Sequence, residues 1–221
     1  MLNNDCTFDK YFLTRAVEGL EKHKNWGIVG SKMNYMDYPD TIWAAGGKLN
    51  KYFGTTKLVM NKEKDEYDNK EEYIDIDYTN GLVKAELYKK IGYFDENYFI
   101  YSEETDFCLK AKKAGFEVKC RLDSKFYHKV SLTDEKIKGF STYYMTRNKI
   151  YFLKKNYKFP FIISSFLYLL FISFPMYLIY YPLYYKNFSI VKAYLKGTMD
   201  GLSGKMGKTS YFDKNKKKKQ I

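Results

Sequence analysis

The sequence is poor in cysteine and histidine, the residues that build disulfide scaffolds and most zinc sites. Its 221 residues include three cysteines, none of them in a CxxC pair, and two histidines. An odd cysteine count without close pairs argues against a disulfide framework and favours a reducing, cytoplasmic setting. The N-terminal stretch also lacks the basic start and apolar run of a signal peptide, so we expect no export by that route.

Aromatic residues and positive charge, in contrast, are abundant. The chain has 24 Tyr and 17 Phe, and apolar residues make up 45% of it, which excludes a disordered chain. Its net charge of +12 suits an anionic partner such as nucleic acid, nucleotide diphosphate or acidic lipid, but a general bias towards lysine explains it equally well. No nucleic-acid-binding motif accompanies the charge, so we expect no nucleic-acid partner.

Residues 1–157 have the mixed pattern of a soluble α/β domain. The segment 103–114 predicts a helix that Ser102 caps and Gly115 ends. The highly charged stretch 62–72 predicts an exposed loop. Strands are predicted at 26–30, 41–49 (broken by Gly46-Gly47), 73–78 and 116–122, and a second helix at 137–156.

Residues 158–187 form a hydrophobic zone, and within it 159–185 contains no charged residue. One continuous helix over that run would measure about 40 Å, against roughly 30 Å for the hydrocarbon core of a bilayer. Prolines interrupt the run and tyrosines crowd its second half, so we expect a re-entrant or in-plane pair of membrane-associated helices rather than a single span. A buried helix pair in a soluble core is the alternative.

Basic residues surround the hydrophobic zone. Lysines lie on both sides of it, which favours both ends facing the cytoplasm. Residues 188–221 form an amphipathic and basic tail, and its lysine cluster at 214–219 either lies against anionic headgroups or is a solvated end. We therefore expect the protein at the cytoplasmic face of the cell membrane.

Four local patterns occur together in the chain. They are Asn3-Asn4-Asp5, the run GYFDENYFIYSEETD at 92–106, Phe126-Tyr127-His128, and Arg147-Asn148. In this order and spacing they resemble the later portion of family-2 glycosyltransferases of the rhamnosyltransferase-like kind, which have the GT-A fold. The resemblance covers almost all of 1–156, is most specific at 92–115, and extends to a tail-like stretch at 197–208. It implies an α/β fold, here a partial GT-A (Rossmann-like) domain.

The resemblance implies a divalent metal site, for Mn²⁺ or Mg²⁺, built on Asp5. A nucleotide-sugar donor leaves as a diphosphate, and a carboxylate-bound divalent ion stabilises the charge on that leaving group. Asn3, Asn4 and Asp5 occupy the place of the family's DxD-like motif, with Asp5 as metal ligand and the asparagines at the donor. His128 stands where related enzymes have a histidine that completes the site, and an imidazole suits Mn²⁺ better than Mg²⁺. Taken alone, the first motif reads as a turn or cap, and a lone histidine is more often a core residue.

Three carboxylates at the start of the first predicted helix are the candidates for catalysis: Glu103, Glu104 and Asp106. The acceptor hydroxyl must lose its proton as it attacks, and the family carries an acidic pair here whose second member is the base. The resemblance therefore implies Glu104 as base, with Glu103 as its rival and Asp106 in support. This chain has Glu-Glu where the family usually has Glu-Asp. A first helical turn whose acids merely suit the helix dipole is the alternative.

Two further positions are candidate donor- or acceptor-binding residues. The resemblance places Gly81 in the acceptor-side wall, although an ordinary turn glycine explains it as well. Arg147, on the second predicted helix, suits pairing with phosphate or a carboxylate, and its alternative is a surface arginine beside the membrane.

The family's nucleotide-binding half is not recognisable in this sequence. It has no glycine-rich phosphate loop and no acidic residue placed for a ribose, so we expect that the chain as written does not transfer sugar alone. The predicted function is inverting transfer from a nucleotide-sugar donor to a saccharide or lipid-linked acceptor at a membrane surface. The alternative is a non-catalytic membrane-associated remnant, or a subunit that pairs with a separate nucleotide-binding half.

Overall fold

The computed structural model describes residues 5–66, 71–77, 81–129 and 137–213, which form two compact units. The sheet unit takes in the described residues of Met1–Asn50, Thr55–Phe94 and Glu104–Val130. The helical unit takes in those of Lys51–Gly54, Asp95–Glu103 and Ser131–Ile221. The architecture is mixed α/β with one long apolar helix, which confirms the expected class at this level.

Six of the described strands form one mixed sheet around a parallel central pair. That pair is β2 (Trp26–Tyr35) and β8 (Glu117–His128), and β2 is buried along nearly its whole length. The short strands are antiparallel to their neighbours: β1 (Cys6–Phe8) and β6 (Glu71–Tyr73) on β8, β3 (Ile42–Ala44) and β7 (Leu82–Val83) on β2. A separate hairpin joins β4 (Gly47–Asn50) to β5 (Thr55–Leu58).

Helices α1 (Phe12–Lys22), α2 (Ala85–Ile91) and α3 (Glu103–Lys113) accompany the sheet. The main core lies between α3 and β8. Side chains alternate along a strand, and the face of β8 that belongs to this core is fully buried. Burial of each large apolar side chain contributes about 1.5–3 kcal/mol. The core residues from these two elements are Phe107, Cys108, Ala111, Val118, Cys120 and Leu122.

Most predicted elements of the sheet unit are confirmed. The strand predicted at 26–30 extends to Tyr35, and the one predicted at 116–122 continues to His128. The strand predicted at 41–49 is interrupted as expected, by Gly46 with φ of 79° between β3 and β4. The strand predicted at 73–78 is instead found earlier, as β6, so part of the predicted charged loop is a strand.

The charged loop before β6 is exposed as predicted at Lys62, Glu63, Lys64 and Glu66, and Asp65 is the exception. The side chain of Asp65 is 6% exposed and forms an ion pair with the fully buried Lys32. Asn34 Nδ2 donates to Asp65 Oδ2 at 2.8 Å, and Lys125 Nζ lies 3.2 Å from the same oxygen. Burial alone would raise the pKa of Asp65, but these donors and positive charges lower it below its usual value. Among the described residues of this loop, the expectation of exposure thus fails at Asp65 alone, because Lys32 on β2 and Lys125 on β8 pair with its carboxylate.

In the helical unit, α4 (Phe140–Asn156) packs on α7 (Ser189–Ser203) through glycines. A Cβ at Gly197 would lie 2.6 Å from the Tyr143 carbonyl oxygen, and one at Gly201 would lie 2.8 Å from that of Arg147. Only glycine permits so close a helix contact. Helices α4 and α7 belong to the same unit.

The hydrophobic zone is one helix, Phe161–Tyr184, of 24 residues, so the expected helix pair is wrong. It begins as α5 (Phe161–Tyr168) and ends in α6 (Tyr181–Tyr185), with π-helical turns at Leu169–Ser173 and Met176–Tyr180. These turns precede Pro175 and Pro182, and their wider geometry relieves the clash between a proline ring and the preceding turn. Within the described part of the chain, this is the one helix long and apolar enough to cross a membrane.

Several expectations lie outside the described residues. They concern Asn3 and Asn4, the end of the predicted strand and its turn at 78–80, and the lysine cluster at 214–219.

Candidate active site

Antiparallel pairing of β1 with β8 brings the two predicted metal ligands together. Asp5 comes directly before β1, and its carbonyl oxygen accepts a hydrogen bond from the Lys129 N–H at 3.1 Å. His128 ends β8, and its Nε2 lies 3.3 Å from Oδ2 of Asp5. The side chains of Asp5 and His128 are 35% and 19% exposed, so a ligand in solvent reaches both.

Cys6 adds a third ligand atom to this pair. The ligand atoms of Asp5, Cys6 and His128 lie within 4.8 Å of one another, and Cys6 Sγ lies 3.8 Å from Asp5 Oδ1. A carboxylate, an imidazole and a thiol together fit a divalent transition metal and fit Mg²⁺ poorly, because Mg²⁺ prefers oxygen ligands. The residues present therefore fit a divalent transition-metal ion better than they fit Mg²⁺.

Trp43 lies beside the imidazole of His128. The Trp43 ring meets the imidazole edge-on, with 6.3 Å between centroids. His128 Nδ1 is buried and has no hydrogen-bond partner among the described residues. Nε2 is thus the nitrogen that faces Asp5.

The three candidate catalytic carboxylates lie on the first turn of α3, where the sequence places them. Asp106 is 1% exposed and its Oδ2 lies 3.8 Å from Lys110 Nζ, so it is enclosed in the fold as an ion pair. Glu103 and Glu104 are half-buried. Among the described residues, none of the three joins the cluster of metal-ligating atoms around Asp5.

Asp77 is a further carboxylate near this helix. Its N–H donates to Cys108 Sγ at 3.3 Å. Burial raises the pKa of the Cys108 thiol, and the negative charges of Asp77 and Glu104 raise it further. Asp77 and Glu104 therefore act on the same buried thiol, which brings a second acid into the neighbourhood of the predicted base.

Gly81 is fixed by close packing against Asp77. The Gly81 N–H donates to Asp77 Oδ2 at 2.8 Å. A Cβ at Gly81 would lie 2.2 Å from that oxygen and 2.6 Å from the carbonyl oxygen of Val29. The glycine is thus required by the fold, and its place in an acceptor-side wall stays a prediction.

The backbone directly before the acids adopts conformations that non-glycine residues avoid. Phe99, Tyr101 and Ser102 have φ of 65°, 65° and 74°. Such conformations cost about 1–3 kcal/mol each and persist only where the surrounding structure holds them. The expected N-cap role of Ser102 is wrong, because an N-cap residue has extended backbone and Ser102 is left-handed.

Asn148 on α4 holds this loop. Its Nδ2 donates to the carbonyl oxygens of Tyr98, Ile100 and Tyr101 at 3.1, 2.7 and 2.8 Å. Asn148 is fully buried, so its amide relies on these carbonyls rather than on water. The two N–H groups of one amide are thus shared among three carbonyls of the strained loop.

Arg147 also holds the loop before α3, and this structural role replaces the donor-binding role predicted for it. It is 0% exposed, and it donates to the carbonyl oxygens of Tyr98 at 2.9 Å and Gly207 at 2.6 Å. Its guanidinium carbon also lies 4.8 Å from the ring centroid of Tyr144. A guanidinium so enclosed and hydrogen-bonded is not available to a phosphate, and it is not a surface arginine either.

Sequence reasoning missed Cys6, Asp77 and the role of Asn148. Cys6 had a usable signal, since it follows the predicted metal ligand directly. Asp77 ends an alternating run of acidic and apolar residues, a pattern that predicts a strand rather than a site. Nothing in the sequence around Asn148 indicates which carbonyls its amide would meet.

Comparisons with known proteins assign no family to this chain. No protein-family model matches the chain, and no curated protein matches it.

Proposed function

We propose that the chain is the metal- and acceptor-binding part of a family-2 glycosyltransferase with a GT-A fold. Completed by a nucleotide-binding half, it takes part in the transfer of a sugar from a nucleotide-sugar donor to a saccharide or lipid-linked acceptor at the cytoplasmic face of a membrane; the chain alone is expected not to transfer sugar. The observation that carries this proposal is the 3.3 Å pair between Asp5 and His128. The resemblance names these two residues as one metal site, although they lie at opposite ends of the sheet unit's sequence.

The proposed reaction uses Glu104 as the base, because the resemblance assigns that role to it. Glu104 takes the proton of the acceptor hydroxyl while the hydroxyl oxygen forms a bond to the anomeric carbon. The bond from that carbon to the diphosphate breaks on the opposite face, and its electron pair stays on the diphosphate oxygen. A single displacement of this kind inverts the anomeric centre. Asp5 and His128 would hold the divalent ion, which would supply Lewis-acid stabilisation for the diphosphate.

The loop before α3 supports this assignment of the base. Strained backbone concentrates at active sites, and here three non-glycine residues with positive φ come directly before Glu103 and Glu104. Buried side chains from α4 hold the loop, so Glu103 starts α3 from a fixed backbone position.

The apolar helix supports the membrane setting. Only 6% of its most apolar stretch is buried within the protein. Side chains such as Phe171, Leu183 and Tyr184 are at least 66% exposed. Exposed apolar area of this extent is rare on soluble monomers and typical of membrane contact.

The test uses the protein isolated from membranes of its own host, with Glu104→Gln and the matched control Glu117→Gln. Glu117 is a half-buried acid on β8 that pairs with Lys119 at 3.5 Å. We expect Glu104→Gln to abolish transfer from a panel of labelled nucleotide sugars while retaining nucleoside diphosphate binding, and Glu117→Gln to behave as wild type. Unchanged turnover in Glu104→Gln would refute its role as base. Absence of both transfer and diphosphate binding in the wild type would instead favour the non-catalytic subunit.

A further inference from the structure

Cys6 occupies a defined position relative to the predicted metal ligands. In the β1–β8 register it lies directly opposite His128. Side chains of directly opposite residues in an antiparallel pair lie on the same face, with their Cβ atoms about 4.5–5.5 Å apart. The thiol and the imidazole therefore lie beside each other because of the strand register.

The ligand atoms of the three side chains lie within 4.8 Å of one another, so small side-chain adjustments would bring all three to one metal ion. Nε2 of His128 lies 3.3 Å from Oδ2 of Asp5, and Sγ of Cys6 lies 3.8 Å from Oδ1 of Asp5. In a tetrahedral zinc site with bonds of about 2.0 Å to nitrogen and oxygen and about 2.3 Å to sulfur, neighbouring ligand atoms are about 3.3–3.6 Å apart. Three protein ligands leave a fourth position open, as catalytic zinc sites do.

The other two cysteines have a different environment. Cys108 and Cys120 are 2% and 0% exposed and belong to the main core. Burial also raises the pKa of Cys108, which keeps it a thiol and a poor metal ligand. Cys6 is partly exposed and lies beside two other ligand atoms.

We propose that Cys6 is the third protein ligand of this site, and that the site binds a thiophilic divalent ion, Zn²⁺ or Co²⁺, in preference to Mg²⁺ and Mn²⁺. A thiolate ligand favours the later first-row metals, whereas Mg²⁺ and Mn²⁺ favour carboxylate, carbonyl and water. The site's use in sugar transfer rests on the proposed function; the choice of metal rests on the three ligands alone.

The experiment titrates the metal-free full-length protein with Co²⁺, which gives a near-ultraviolet charge-transfer band when a thiolate binds it. We expect the band in the wild type and in Cys120→Ala, its absence in Cys6→Ser, and its loss on addition of Zn²⁺ but not of excess Mg²⁺. Competition against a chelator measures Zn²⁺ affinity, which we expect Cys6→Ser to weaken at least about tenfold. Circular dichroism verifies that both variants are folded.

The results that would contradict the proposal differ in which part of it they overturn. Co²⁺ binding without a thiolate band, or a band that persists in Cys6→Ser, would overturn the role of Cys6 and leave the proposed glycosyltransferase untouched. Displacement of Co²⁺ by Mg²⁺ at similar concentration would overturn the metal preference alone. Failure of Co²⁺, Zn²⁺ and Mn²⁺ all to bind would overturn both this inference and the metal-dependent function.

Discussion

The prominent polar residues of the two units differ in their exposure to solvent. In the sheet unit, Asp5 and His128 are partly exposed and face each other across a strand pair. In the helical unit, Arg147 and Asn148 are fully buried and donate to backbone carbonyls. A side chain that binds an exchanging ligand must keep accessible atoms, whereas a buried one must be satisfied by the fold. Residues that look alike as sequence motifs thus divide into candidate ligands and scaffold once their burial is known.

The largest expected effect is that of Arg147→Met. It removes the donors to Tyr98 and Gly207 while keeping most of the side-chain volume, and we expect the helical unit to lose about 3–5 kcal/mol of stability. Denaturant unfolding measures this, and hydrogen exchange localises it. The control Met145→Ala, 48% exposed on the same helix, is expected to change stability by less than about 0.5 kcal/mol. Wild-type stability combined with weaker diphosphate binding in Arg147→Met would restore the ligand role and remove the contrast.

Gly81→Ala tests how closely the sheet unit is packed around Gly81. The added Cβ meets Asp77 and the Val29 carbonyl, and overpacking of this kind is expected to cost about 2–3 kcal/mol. Gly115→Ala separates backbone strain from packing, because Gly115 has φ of 91° and open space around it. Its expected cost is about 1–2 kcal/mol. Equal effects of the two variants in thermal unfolding would show that close packing at Gly81 is unimportant.

Gly201→Ala gives a smaller effect in the helical unit. The new methyl group lies 2.8 Å from the Arg147 carbonyl oxygen, which pushes α7 from α4, while alanine favours the helix itself. We expect a net loss of about 1 kcal/mol in denaturant unfolding. Leu202→Ala, at a site 53% exposed, is the control and is expected to be nearly neutral. Stabilisation by Gly201→Ala would mean that α4 and α7 are packed less closely than described.

The smallest effect belongs to Asp75. Burial alone would raise the pKa of Asp75, but Lys112 at 2.5 Å and the Leu49 N–H at 2.8 Å lower it. A lowered pKa means that the stabilisation is present above the unfolded-state value near 4 and is lost as the pH falls through the folded value. Asp75→Asn is therefore expected to cost about 0.5–1 kcal/mol at pH 7 and progressively less in acid. Glu66→Gln, in an exposed pair with Lys64, should show no such dependence, and a pH-independent cost for Asp75→Asn would refute the ion pair.

The sequence predicts more of the sheet unit than of the helical unit, for a physical reason. Strand alternation and turn glycines are local signals, and they locate β2, β8 and the break at Gly46. The prolines at 175 and 182 also act locally, but π-helical turns compensate for them, so the helix continues where the sequence predicts a break.

The candidate site was predictable in part. A family resemblance names Asp5 and His128, and strand pairing brings them together. The roles of Cys6, Arg147 and Asn148 depend on register and burial, which arise from contacts between distant segments. No local pattern encodes which carbonyls a buried guanidinium will meet.

The central claim is that the Asp5–His128 pair holds a divalent ion needed for sugar transfer. Its most direct test is transfer of labelled sugar into lipid-linked material by the protein isolated from its own host's membranes, before and after chelation. We expect that chelation abolishes transfer, that a divalent ion restores it, and that His128→Ala is not restored. Transfer that is indifferent to chelation and to His128→Ala would contradict it.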